Sequence, residues 1–276
     1  MTRGGPTLLA IAVAVAAAGA AAADREDGIP TSLLGTYIRA NELIVYPFYE
    51  YTRHNKFEYK PSELGVQGPG NQDEFLGKTV EREAILFVAY AFSDSLALEF
   101  ESALHSSLEF TKAGNDATGT PQQLRESGLG DTEINLRWRF ARETATRSEY
   151  TFFLKTVFPL QKDKKLLGSR DWEIEPGLVV TKGYPWGTFA VRAAIGWTSG
   201  ERKLDLAEWA IDYVKQLNPQ WRLALSLEGA QTDEVSAIGE LQYAIGRKAV
   251  LKMNLGIGLT EKAANVAPEI GILFRF

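Results

Sequence analysis

Two histidines and no cysteine occur in the whole chain of 276 residues. His54 sits in Thr-Arg-His-Asn and His105 in Leu-His-Ser-Ser-Leu-Glu. A serine nucleophile activated by a histidine base is the chemistry of lipid hydrolysis, and Ser106, Ser107 and Glu109 lie close to His105 in sequence. Nucleophile and base must meet in space, however, and neighbours along a strand point to opposite faces. His105 therefore reads first as a polar residue at a rim. Gly77-Lys78-Thr79 has the end of a phosphate-binding loop, but the glycine required five residues earlier is Gln72. Two histidines without cysteine make no zinc constellation. Asp73, Glu74 and Asp116 could hold calcium only weakly, because no EF-hand spacing supports them. No catalytic residue, metal or cofactor is expected.

The chemistry instead lies in an alternation. In the stretch Gly128-Leu-Gly-Asp-Thr-Glu-Ile-Asn-Leu-Arg-Trp-Arg-Phe140, Thr132, Ile134, Leu136, Trp138 and Phe140 share one phase. Asp131, Glu133, Asn135, Arg137 and Arg139 share the other. A period of two is a strand with one apolar and one charged face. A sandwich would bury the apolar face and leave the charges in water; a membrane barrel would turn the apolar face to lipid and the charges to its lumen.

The same period recurs almost to the C-terminus. It predicts twelve strands, near 42–54, 82–92, 95–105, 129–140, 148–158, 170–181, 187–198, 205–215, 220–230, 234–245, 248–259 and 266–276. In 95–105, Leu96, Leu98 and Phe100 oppose Glu99, Glu101 and His105. The first strand is the least clear, because Tyr or Phe stands in both of its phases. Short turns near 93–94, 142–146, 183–185, 218–219 and 246–247 alternate with longer polar links at 55–80, 106–128 and 159–169. That asymmetry is characteristic of an outer-membrane barrel with short periplasmic turns.

Tryptophan placement agrees. Trp138, Trp186 and Trp221 fall at the short-turn ends, with Tyr90, Tyr150, Tyr213 and Tyr243. Trp172 and Trp197 fall at the opposite ends, and Trp209 lies in the outer half of its strand. All six are in the outward phase, as two interfacial aromatic girdles require. The last strand places Ile272, Phe274 and Phe276 in one phase and ends the sequence on Phe276, resembling the signal that barrel-insertion machinery reads.

The inward phase supplies a predicted lumen. Its acidic members are Glu99, Glu101, Asp131, Glu133, Glu173, Glu175, Glu208, Asp212, Glu228, Glu240 and Glu269; its basic members are Arg137, Arg139, Lys155, Arg192, Arg222, Lys252 and Arg275. Either a wet pore with a cation bias or a ladder of ion pairs closing a narrow barrel fits. Barrel width grows with strand number, and about twelve strands lies between the about eight that side chains fill and the about sixteen that leave a channel.

Residues 1–23 have the order of a secretory signal peptide: basic start, apolar run from Thr7 to Ala20, and small residues Ala21–Ala23. Residues 24–41 form either a periplasmic segment or a plug, and Leu33, Leu34, Tyr37 and Ile38 would share one face of a short helix. The barrel would occupy 42–276. Thirty basic residues against 35 acidic give a formal charge of −5, unsuited to nucleic acid.

At Ser127-Gly-Leu-Gly-Asp131 and the strand that follows, and again at Phe152-Phe-Leu-Lys-Thr-Val-Phe-Pro-Leu-Gln-Lys-Asp163 and Trp172-Glu-Ile-Glu-Pro-Gly-Leu-Val-Val-Thr-Lys182, the chain resembles the outer-membrane family named for the meta-pathway of phenol degradation. The resemblance spans about residues 42–276. Such sequences often carry Pro-Thr-Gly where this one has Pro159-Leu160-Gln161. The resemblance implies a barrel and suggests transport of small compounds, with hydrophobic ones among the candidates, and brings no catalytic residues. The expectation is thus a twelve-stranded antiparallel outer-membrane β-barrel, its partners being outer-membrane lipid, the insertion machinery and a small solute that the sequence does not identify. Passive passage of that solute runs through the charged lumen, with 55–80 and 106–128 controlling access. A closed structural or adhesive barrel, a lipid-modifying enzyme and a soluble secreted sandwich are the alternatives.

Overall fold

The computed structural model describes residues 28–276 apart from 32, 201–202 and 231–233; the signal peptide expected over 1–23 lies outside the described residues. Two very short strands open it, β1 (Ile29–Pro30) and β2 (Tyr37–Ile38). Then come β3 (Leu43–Tyr59), β4 (Phe75–Ser93), β5 (Leu96–Thr111), β6 (Gln123–Gly128), β7 (Thr132–Ala141), β8 (Glu149–Val157), β9 (Glu173–Tyr184) and β10 (Gly187–Thr198). The series ends with β11 (Lys203–Gln216), β12 (Trp221–Ala230), β13 (Glu234–Ala244), β14 (Ala249–Gly258) and β15 (Ala267–Arg275).

Each strand from β3 onward pairs antiparallel with its neighbours, and β15 pairs with β3, so the sheet closes. Both β6 and β7 pair with β5. They are two halves of one wall strand interrupted at 129–131, which makes the barrel twelve-stranded. Closure pairs the backbone groups that hydrocarbon could not hydrogen-bond. The alternation fixes which side is which: Trp138 is 52% exposed on the outside while its neighbour Arg137 is 1% exposed. Leu98, Phe100, Leu136, Phe140, Leu225, Leu241, Leu255, Ile257, Ile270 and Ile272 continue the exposed apolar outer wall.

The strands differ from expectation where the period slips. On β5, Ala84 pairs with His105 but Ile85 with Ala103, leaving Leu104 as an extra residue. This bulge turns Leu104 and His105 both to the outside, so His105 does not share the face of Glu99 and Glu101 as its parity predicts. A second bulge on β11 puts Leu204 and Leu206 in the same outward phase as Trp209, Ile211 and Tyr213, on their long-loop side. Thr132, expected to face lipid, is buried against Ser102, with their hydroxyls 2.7 Å apart.

The links at 55–80 and 106–128 are shorter as loops than expected, because β3, β4 and β5 run far past the barrel rim and β6 adds to them. Tyr59, Leu64, Leu108, Phe110, Ala113 and Leu167 form a core on the inner face of this extension. The 158–172 loop closes over it: the amides of Lys165 and Leu166 donate to Glu126 at 2.9 and 2.7 Å.

Residues 33–38 are not helical. Ile29 pairs with Ile38 and Pro30 with Tyr37 as a small hairpin, turned at Gly35 with φ +64°. The left-handed backbone suits glycine. Leu33 is buried, as the helix reading required, but by the hairpin and the barrel wall.

Candidate functional site: the barrel interior

The inner wall is not uniformly polar. On β3, β4, β5 and β15, Ile44, Tyr46, Phe48, Ile85, Phe87, Ala89, Ala97 and Leu273 form an apolar sector that continues into Ile29, Leu33 and Ile38 of the hairpin. Burying Ile29 and Ile38 completely contributes roughly 1.5–3 kcal/mol each. Gly271 allows Tyr46 and Phe48 to lie against the wall, since a Cβ there would meet the Phe48 Cβ at 2.5 Å. The hairpin's carbonyls are held by the wall: Arg222 Nη1 donates to Gly35 O at 2.9 Å, Gln242 Nε2 to Leu34 O at 2.9 Å, and Arg139 Nη1 to Gly28 O at 3.1 Å. Residues 28–31 and 33–38 thus sit inside the short-turn end, beside the Asp94 turn, whose Oδ1 accepts from Ala40 N.

Above the hairpin lies a cavity of about 320 Å³. Among its lining residues are Glu50, Glu101, Asp212, Glu228, Glu240 and Glu269, against Arg137, Arg192 and Lys252. Toward the long-loop end is a second cavity, about 290 Å³, lined by His54, Arg192, Glu208, Trp209, Glu228 and Ala263 among others. Arg192 and Glu228 border both. An ion-pair chain runs from these two residues along the wall to β8. Lys155 Nζ is 2.7 Å from Glu175 and 3.4 Å from Glu208; Arg192 is 3.7 Å from Glu208 and 3.6 Å from Glu228.

The other charges expected inside distribute as follows. Arg137 pairs with Glu99 at 3.0 Å and lies 5.1 Å over the Phe153 ring. Arg139 pairs with Glu149 at 3.0 Å. Lys252 pairs with Glu240 at 3.3 Å and lies 4.9 Å over Tyr46. Glu133 is half-buried two residues before Asn135 on β7, toward the long-loop end. Asp131 is exposed in the break between β6 and β7, accepting from Ser169 N, and Glu173 accepts from Ser169 Oγ at 2.6 Å. Arg275 is 3.8 Å from Glu42 at the short-turn rim. Glu50 and the apolar sector escaped the sequence reading, because β3 carries aromatics in both phases. Glu83 falls inside the strand expected at 82–92 and Glu81 just before it, yet the predicted lumen includes neither; Ser106 Oγ donates to Glu81 at 3.1 Å.

On the outside, Trp138, Trp172 and Trp186 are exposed. Trp186 and Tyr213 rings lie 6.0 Å apart, Trp221 and Tyr243 4.8 Å, and Phe140 and Tyr150 6.0 Å. Trp197 and Trp209 are half-buried on outward positions. Ile272, Phe274 and Phe276 are all exposed on one face, and Phe276 N donates to Leu43 O at 2.9 Å across the closing seam. His105 stands on the outer wall while Ser106 points inward, so the two do not form a nucleophile–base pair. No group of three or more carboxylate or histidine ligands suited to a metal occurs among the described residues.

The family model described as "Putative MetA-pathway of phenol degradation" matches residues 66–276. The chain belongs to that family. Among solved structures, an outer membrane channel from Pseudomonas putida F1 is similar with a TM-score of 0.62 at 16% identity, covering 87% of this chain and 97% of that one. The KdgM porin gives 0.49 at 10% identity over 84% of this chain and 99% of its own. The translocator domain of the autotransporter NalP from Neisseria meningitidis gives 0.45 at 9% identity over 86% and 89%. No curated protein matches in sequence. Family membership and the closed, apolar-walled barrel identify an outer-membrane barrel.

Proposed function

We propose that this member of the family is a passive channel for small molecules, with a cation bias set by its lumen. The observation that carries this reading is the pair of cavities that meet at Arg192 and Glu228, the first lined by six carboxylates against three cations. Carboxylates in excess within low-dielectric walls concentrate counter-ions. The short turns and hairpin face the periplasm, the long extension faces outward, and Ile272, Phe274 and Phe276 present the insertion signal. The two girdles set the depth in the bilayer. The lumen residues act on a solute without covalent chemistry, which makes an enzymatic role the weaker reading.

Phe48, Leu34, Val179, Val214 and Ile238 line the same cavity as the charges, a mixed surface that suits small amphiphilic or hydrophobic compounds. A channel closed at rest is the second reading, favoured by the three hydrogen bonds that hold the hairpin in the lumen. Uptake into proteoliposomes by full-length protein tests the proposal. Small organic cations should enter faster than anions of equal size, and Glu101→Gln with Glu269→Gln should narrow the difference. Equal exclusion of every small solute by folded protein would overturn it.

A further inference from the structure

The outer wall carries a charge pattern that the channel reading does not use. On the outward positions of β3 to β6, adjacent rows are Tyr51–Arg82–Ser107–Ser127, Arg53–Val80–Glu109–Arg125 and Lys78–Thr111–Gln123. These rows hold four cations and one carboxylate. Glu109 spaces two of them, at 3.3 Å from Arg82 and 3.7 Å from Arg125. Arg82 also lies 5.7 Å over the Tyr51 ring, and Arg53 Nε donates to Asn55 at 3.1 Å, so the guanidinium groups are held in place. Arg53, Lys78 and Arg125 are exposed.

Their height is what selects the partner. Below them the same strands show Tyr49, Tyr90, Leu98, Phe100 and Leu104 to the outside. Arg82 is eight residues from Tyr90 on β4. At about 3.4 Å per residue and a tilt of about 40°, that is about 21 Å along the membrane normal, and Lys78 is about 31 Å up. The cations therefore straddle the far edge of an apolar band about 25 Å tall. Arginines arranged as planar forks match phosphate oxygens.

We infer that Arg53, Lys78, Arg82 and Arg125 form a docking surface for the phosphate groups of outer-leaflet lipid headgroups. Each headgroup phosphate would supply the counter-charge that Glu109 alone does not give the four cations. The surface would fix the tilt and depth of the extension at the membrane boundary.

Titration of the full-length refolded protein in micelles with diphosphoryl lipid A, and with the same lipid stripped of its phosphates, tests this by native mass spectrometry. The phosphorylated lipid should bind at least about tenfold more tightly. The variant carrying Arg53→Gln, Lys78→Gln, Arg82→Gln and Arg125→Gln should lose that preference while keeping its heat-sensitive gel mobility. Glu109→Gln removes the single carboxylate and should tighten binding, which keeps the idea open to refutation if the fourfold variant fails to fold. Equal affinity for the two lipids, a preference retained in the folded fourfold variant, or no gain in Glu109→Gln would overturn the proposal.

Discussion

Arg192 on β10 reaches over β11 to Glu228 on β12, Nη2 to Oε2 at 3.6 Å, and these two side chains border the cavities on both sides of them. They are the charged pair that the two cavities share. Removing the guanidinium should widen the connection and subtract a cation. Arg192→Ala is expected to raise single-channel conductance and strengthen cation preference in planar bilayers. Unchanged conductance would place the constriction elsewhere.

Glu99 and Arg137 are a different case, since both side chains are 2% exposed. Removing one partner strands a buried charge, whereas replacing both does not. Glu99→Gln should lower unfolding stability by about 3 kcal/mol, at the low end for buried pairs because the lumen is partly wet. Glu99→Gln combined with Arg137→Met should recover part of that loss in urea unfolding from lipid vesicles. Additive losses would mean the pair is not coupled.

The hairpin hangs on hydrogen bonds from Arg222 and Gln242. A charge-assisted bond contributes about 1.5–3 kcal/mol and a neutral one about 1 kcal/mol. Without cysteine in the chain, Leu34→Cys gives a single labelling site. Adding Arg222→Ala should speed its reaction with a water-soluble thiol reagent, and Gln242→Ala should do so less. An equal rate in all three proteins would show that these bonds do not hold the segment.

The barrel was legible because lipid on one side and a polar lumen on the other impose period two over strand after strand. Strand β10 falls at 187–198 in both the sequence reading and the structure. What the pattern could not show are events that break it. One inserted residue at Leu104 moves His105 to the outer wall. Aromatics in both phases of β3 hid Glu50 and the apolar sector. The hairpin at 29–38 has apolar spacing that fits a helix turn equally well; the wall contacts, which are distant in sequence, decide it. Ion pairs such as Lys155–Glu208 join β8 to β11, and no local spacing announces them.

Asp116, in the loop between β5 and β6, has a pH signature. Burial would raise its carboxyl pKa, but hydrogen bonds from Thr118 and Tyr59 outweigh burial and hold it down to about 2. A depressed carboxyl stabilises fully above its unfolded value of about 4 and loses that contribution as pH falls from about 4 to about 2. Proteolysis of the 112–122 loop by an acid-active protease should therefore accelerate across that window. In Asp116→Asn it should be fast already at pH 5. A wild-type loop that is equally resistant at pH 5 and pH 2 would show that Asp116 does not fasten it.

Single-channel recording of the refolded full-length protein in a planar bilayer, under a salt gradient, tests the central claim most directly. Discrete steps with a reversal potential on the cation side are predicted. Neutralising Glu50, Glu101 and Glu269 to glutamine should move that potential toward zero. Anion preference, or silence from protein shown to be folded and inserted, would contradict a cation-biased passive channel.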